Sequence, residues 1–205
     1  MKRDCPAIFV ADATGLDFLN SRAMPVDTVV EWLADGEGLM QWLRESGLVS
    51  ERALQTVEKN AMPGELDAVA SQARSLREWF RGFVEGHRGR SLTADAIEEL
   101  EPLNRLLARD EQFSQVSVAN GVQTRSGLQW KKERQWKSPE TLLTPIAEAI
   151  GDFVCNEEFT DVKACEGHDC TLLFVDRTRG KRRRWCSMAV CGNRAKQAAF
   201  RAKTL

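Results

Sequence analysis

Histidine is nearly missing from this 205-residue chain, with His87 and His168 the only two. That leaves little from which to build a histidine-based acid–base or nucleophilic site. A phosphate loop, a dinucleotide fingerprint and a nucleophile elbow are also lacking. Carboxylates are plentiful, but they scatter over amphipathic segments in the manner of solvated faces. No apolar run approaches the ~20 residues needed to cross a bilayer. The opening MKRDCPAIFVADATG has only Ala7 to Val10 as an apolar stretch, too short for a signal peptide. Internal repeats and low-complexity tracts are absent as well. The expectation is a cytoplasmic protein that is not an enzyme and has no membrane partner.

What is present is enough apolar material for a packed core, 42% of residues. The length suits one medium domain with a small module attached. Net charge is −1, yet it is unevenly spread. From Thr160 to Leu205 there are eleven Lys and Arg against four Asp and Glu, leaving −8 on the rest of the chain. Such segregation is expected when one module meets a polyanion and the other does not.

Four of the six cysteines lie in that basic stretch, as Cys165, Cys170, Cys186 and Cys191, spaced C-x4-C-x15-C-x4-C. Two short-spaced pairs can supply the four soft ligands of a tetrahedral Zn²⁺, so these residues are the candidate metal site. Disulfide pairing is the alternative. His168, inside CEGHDC, is not needed once four cysteines complete the shell. Cys5 and Cys155 read as ordinary thiols, Cys155 as a buried one at the end of an apolar helix.

Helical patterning dominates the first ~110 residues. Apolar positions from Leu66 to Val84 recur at three-four spacing between Pro63 and Gly86. VDTVVEWLA and GLMQWLRESG read as two short helices, and Ser50 caps a third. Thr93 opens another through about Arg109, burying Ile97, Leu100, Leu103 and Leu107, with Pro102 as a kink or a new start. From Gln112 to Trp136 the texture is that of an antiparallel hairpin. Ser138-Pro139-Glu140 then begins a helix with Leu142, Ile146, Ala149, Ile150 and Phe153 on one face, ending near Glu157. Within the cysteine module TLLFVD reads as a strand, RTRG as a turn and KRRRW as the returning strand. SMAVCGNRAKQAAFRAK follows as a helix with Ser187 as its cap. Knuckle, hairpin and ligand-bearing helix make a treble-clef plan, which metal binding would stabilise.

At 100° per residue that last helix places Cys191, Ala195, Ala198, Ala199 and Ala202 toward the metal. Arg194, Gln197 and Arg201 flank one edge and Lys196 and Lys203 the other, with Asn193 and Phe200 nearly opposite. Arg177, Arg179, Lys181, Arg182, Arg183 and Arg184 add charge from the hairpin. The candidate nucleic-acid contacts are Arg182, Arg183, Arg184, Asn193, Arg194, Lys196, Gln197 and Arg201, cations for phosphate and amides for base edges. Trp185 is expected in the core. Phe200 is expected to pack on the N-terminal part, with stacking on a base as the alternative.

The run FVD, RRWCSMAVCGNRAK resembles the CGNR zinc finger, whose name-giving tetrad stands here as Cys191-Gly192-Asn193-Arg194. GLDFLNS and the WL-rich helical stretch after it resemble the ABATE domain that accompanies this finger in bacterial proteins. The resemblance implies an α+β chain: an α-rich domain over residues 1–157 and a treble-clef-like zinc finger over 158–205. It implies Zn²⁺ on Cys165, Cys170, Cys186 and Cys191, and places Arg183, Arg184, Asn193, Arg194 and Lys196 on basic and polar motif positions. It also implies a transcription regulator binding DNA, with the N-terminal domain sensing or assembling. RNA binding and a zinc-stabilised protein-interaction module are the alternatives; a homodimer and a small-molecule effector are left open.

Overall fold

The computed structural model describes residues 6–25, 27–119 and 125–203, without the side chains of residues 199, 202 and 203. Cys5, and the expected metal-facing or flanking roles of Ala199, Ala202 and Lys203, therefore lie outside the described residues. In chain order the elements are α1 (Thr14–Leu19), β1 (Arg22–Ala23), β2 (Val30–Glu31), α2 (Gly36–Glu45), α3 (Glu51–Asn60), α4 (Glu65–His87), α5 (Glu101–Leu107), β3 (Gln112–Val118), β4 (Leu128–Arg134), α6 (Leu143–Asn156), β5 (Val162–Ala164), β6 (Leu173–Val175) and α7 (Asn193–Lys203). Strands pair only as antiparallel ribbons, β1–β2, β3–β4 and β5–β6, among the described residues. This is the expected α-rich α+β class.

Helix α4 buries Val69, Ala70, Ala73, Phe80, Phe83 and Val84, the stripe that its three-four spacing implies. Arg77 lies on the same buried face, 1% exposed. Its guanidinium is satisfied by both Glu31 oxygens, at 2.7 and 2.6 Å, and by the Ser21 hydroxyl at 3.0 Å. This clamp accounts for one correction. In VDTVVEWLA the described residues, 27–34, are not helical; Val30–Glu31 pairs with Arg22–Ala23 instead. The β-branched residues there favour extended chain, and the pairing brings Glu31 to Arg77.

Asp35 and Ser50 cap α2 and α3 by accepting from the N–H groups of Gly38 and Ala53. The expected helix over 93–109 is divided: a 3₁₀ turn at Ala94–Ile97 precedes α5, with Pro102 in the first turn of α5. Leu103 is buried, but Ile97 is 59% exposed, because the break rotates it out of the stripe. A 3₁₀ turn at Pro139–Leu142 likewise precedes α6, where Ile146, Ile150 and Phe153 are buried. Cys155 is exposed, contrary to expectation. At 100° per residue it lies opposite the buried stripe.

α6 packs on α1 at close range: a Cβ on Gly15 would lie 2.5 Å from the Ala149 carbonyl oxygen. The same α1 end also holds the C-terminal module. Asn20, 2% exposed, donates to the Leu173 carbonyl at 2.8 Å and accepts from the Leu173 N–H at 3.0 Å. Leu172, Leu173, Phe174 and Val175 thereby join the apolar core that also contains Phe18, Phe153 and Phe159. β6 does not turn back onto KRRRW. Its partner is Val162–Ala164, upstream of the first cysteine, and residues 182–184 form no strand. The other edge of β6 is taken by Asn20, bonded to Leu173, and by Ala11, whose carbonyl accepts from the Val175 N–H at 2.9 Å.

Candidate metal centre and nucleic-acid interface

The four cysteines come together from three pieces of backbone. Cys165 follows β5, Cys170 closes the knuckle whose Cys170 N–H bonds the Gly167 carbonyl at 3.1 Å, and Cys186 and Cys191 flank the start of a π-helical turn at Met188–Gly192. That turn, rather than an α-helix capped by Ser187, carries the last ligand position; the Ser187 side chain makes no capping bond. Wider turns of this kind re-aim a side chain, here Cys191, toward the centre.

All four sulfurs lie within 4.8 Å of one another. Metal–sulfur bonds of about 2.3 Å give a tetrahedron with edges of roughly 3.8 Å. Cys170 and Cys186 are 3.9 Å apart, and Cys186 and Cys191 3.7 Å. The backbone N–H groups of Gly167 and Cys186 point at the Cys165 sulfur, at 3.4 and 3.2 Å, and fix its position. Space for these sulfurs depends on Gly167, where a Cβ would lie 2.9 Å from the Cys191 sulfur. All four cysteines are free thiols, not disulfides.

Sulfurs this close and this buried cannot all ionise by themselves. Hydrogen bonding, from Cys186 above all, lowers Cys170 to about 5. Its bond to Cys170, with burial next, drives Cys186 far up, and burial pushes Cys191 up to about 12. A dication at the centre answers that repulsion. The donor set, four soft sulfurs with no carboxylate or imidazole, fits Zn²⁺. His168 stays outside, its side chain 91% exposed and paired with Asp169.

Around this centre the candidate contact residues divide into two groups. Arg183 is turned inward. Its guanidinium donates to the carbonyls of Val10 at 2.8 Å and Cys186 at 2.7 Å, pairs with Asp12 and lies 4.1 Å over the Phe174 ring. Arg184 pairs with Glu166 at 2.6 Å and covers Trp185, which is half-buried. Asn193 donates to the Ala189 carbonyl. Arg177 and Lys181 pair with Glu157 and Asp161.

By contrast Arg182, Arg194, Lys196 and Arg201 form no ion pair among the described residues, and all are exposed along with Gln197. Arg194, Gln197 and Arg201 sit at i, i+3 and i+7 on α7. They line a cleft of about 410 Å³ whose opposite wall is Gly167 and His168. Ala195 is half-buried toward the metal, but Ala198 is exposed. Phe200 is 71% exposed and does not enter the core, because α7 leans on little beyond the π-helical turn.

The ABATE profile, described as "Putative stress-induced transcription regulator", matches residues 12–157. The chain belongs to the ABATE family. The CGNR zinc finger profile matches residues 162–204, so the sulfur cluster is the centre of a CGNR finger attached to an ABATE domain. No curated protein matches the chain significantly. Neither matched family is an enzyme family, and no helix among the described residues is long and apolar enough to cross a membrane.

Two residues central to the finger escaped sequence reasoning. Asp176 is fully buried behind the basic loop. Burial opposes its charge, but Lys163 at 2.7 Å, the Thr178 hydroxyl at 2.6 Å and the N–H groups of Thr178 and Arg183 hold it well below the usual carboxylate range. Asn20, 153 residues away from Leu173, acts as a one-residue strand edge for β6. The Asp of FVD was the signal that could have found Asp176; nothing local marks Asn20.

Proposed function

We propose that this zinc-finger protein is a DNA-binding transcriptional regulator in which the finger, residues 158–205, contacts the duplex and residues 1–157 sense a signal or assemble the regulator. The observation supporting this most is the cluster of exposed cations on α7 and the adjoining loop that have no acidic partner among the described residues, beside a cleft built against the metal knuckle. Cations of that kind neutralise phosphates and release counterions. Gln197 and Asn193 offer the amides that read base edges. Arg183 contributes by bracing the loop.

Titration of the zinc-loaded protein with duplex DNA over a salt series tests the reading. With about five cations engaged, log affinity should fall against log salt with a slope near −4 to −5. Replacing Arg194 and Arg201 with Ala should lower the slope by about 2 and leave zinc content unchanged. Salt-independent binding would sink it.

RNA is the second reading, favoured by the exposure of Phe200 beside Lys196 and Arg201. An aromatic ring flanked by cations suits stacking on unpaired bases. Competition between duplex DNA and single-stranded RNA separates the two.

A further inference from the structure

The β3–β4 ribbon carries an apolar face that no described residue covers. Its register sets Val116 opposite Trp130 and Val118 opposite Leu128. Directly opposed residues on an antiparallel pair point to the same side, so these four form one patch at the outer end of the ribbon. Val116 is 61% exposed, Val118 65%, Leu128 49% and Trp130 70%. The opposite face carries Gln115, Ser117, Gln129, Lys131 and Glu133, with Phe113 as its one large apolar side chain. At the inner end Arg134 is already neutralised by Asp110 and Glu148.

A two-stranded ribbon with one greasy face is marginal in water and gains most from a sheet or face laid against it. We infer that a second copy of this chain supplies that face, and that the protein is a two-fold dimer joined through its β3–β4 ribbons. Self-association suits this patch because a two-fold interface uses the same surface twice and must be self-complementary. Four apolar side chains with no carboxylate among them meet that condition. The area is also adequate. The patch presents on the order of 500 Å² per copy, so two copies bury about 1,000 Å², the lower bound for a specific interface, before flanking residues add to it. Trp130, the largest and most exposed member, is the anchor.

Sedimentation velocity on the zinc-loaded full chain, over a concentration series without nucleic acid, tests this independently of any DNA-binding role. The expected result is a species of twice the protomer mass. Trp130→Glu and Val118→Glu should each weaken self-association by about 10-fold or more. Lys131→Gln, on the opposite face, should leave it unchanged. Circular dichroism and retained zinc check that each variant is folded. A chain that stays monomeric throughout the series overturns the proposal. So does a dimer that persists in the Trp130→Glu, Val118→Glu double variant.

Discussion

Two buried aspartates pull stability in opposite directions with pH. Asp17 is 7% exposed and accepts the N–H groups of Val10 and Ala11, at 2.9 and 3.0 Å, through one oxygen. Burial outweighs those bonds and raises it from 3.8 to about 6. A raised carboxylate means that the folded state binds the proton more tightly. Its contribution is therefore most favourable below about 4 and is lost as pH rises through about 6. Asp17→Asn keeps the accepting oxygen and removes the titration. The stability of Asp17→Asn relative to the parent should improve by roughly 2–3 kcal/mol between pH 4 and pH 7.5, read from urea unfolding. A constant difference would show that Asp17 does not titrate in that range. Asp176 has the opposite sign: its lowered value supplies stability at neutral pH that falls away on strong acidification. Asp176→Asn would set an amide N–H₂ against Lys163 or the Arg183 N–H, and should cost roughly 2–4 kcal/mol at pH 7. Gly167→Ala is a third case. The added methyl meets the Cys191 sulfur and should reduce zinc occupancy, measured by metal analysis, more than Gly180→Ala, which meets only the flexible Arg182 side chain.

Between elements, the closest approach is α1 on α6. Gly15→Ala would place a methyl against backbone, where neither helix can yield without moving the other. The expected cost is about 1–3 kcal/mol, whereas the corresponding change at Gly82, inside α4 with open space around it, should stabilise by up to about 1 kcal/mol. Helices such as α3, α4 and α6 were legible in the sequence because period, cap and breaker agree within one segment: Ser50 before α3, Pro63 before α4, Ser138 and Pro139 before α6. The metal site was legible for the same reason, since four cysteines at two short spacings carry their own geometry. What was not legible depends on residues far apart in sequence. Val30–Glu31 becomes a strand because Arg77, 46 residues later, needs Glu31. β6 pairs with β5 rather than KRRRW because Asn20 and Ala11 line its other side. Arg183 looks like every other arginine in RRRW, yet it alone is drawn in by Val10, Asp12 and Phe174.

At the scale of the whole chain, the finger is built into the ABATE core. Ala11 accepts from Val175 at 2.9 Å, Met24 and Thr171 exchange bonds at 2.8 and 3.2 Å, and Arg183 staples Val10 to Cys186. Cys165, Cys186 and Cys191 are buried alongside the same core residues as Phe159 and Phe174. Zinc withdrawal should therefore act beyond the finger. Without the ion nothing ties Cys165 and Cys170 to Cys186 and Cys191, so the loops on either side of Leu172–Val175 lose their tether, and that loss exposes Phe159 and the end of α1. The expected outcome on chelation is one cooperative transition at a lower temperature, followed by both calorimetry and far-ultraviolet circular dichroism. Cys191→Ser should reproduce it without chelator, at a cost larger than the ~1 kcal/mol of an ordinary substitution. Two separate transitions, with the helical one unmoved by chelation, would mean that the finger melts alone and that the bonds of Asn20 to Leu173 carry no coupling.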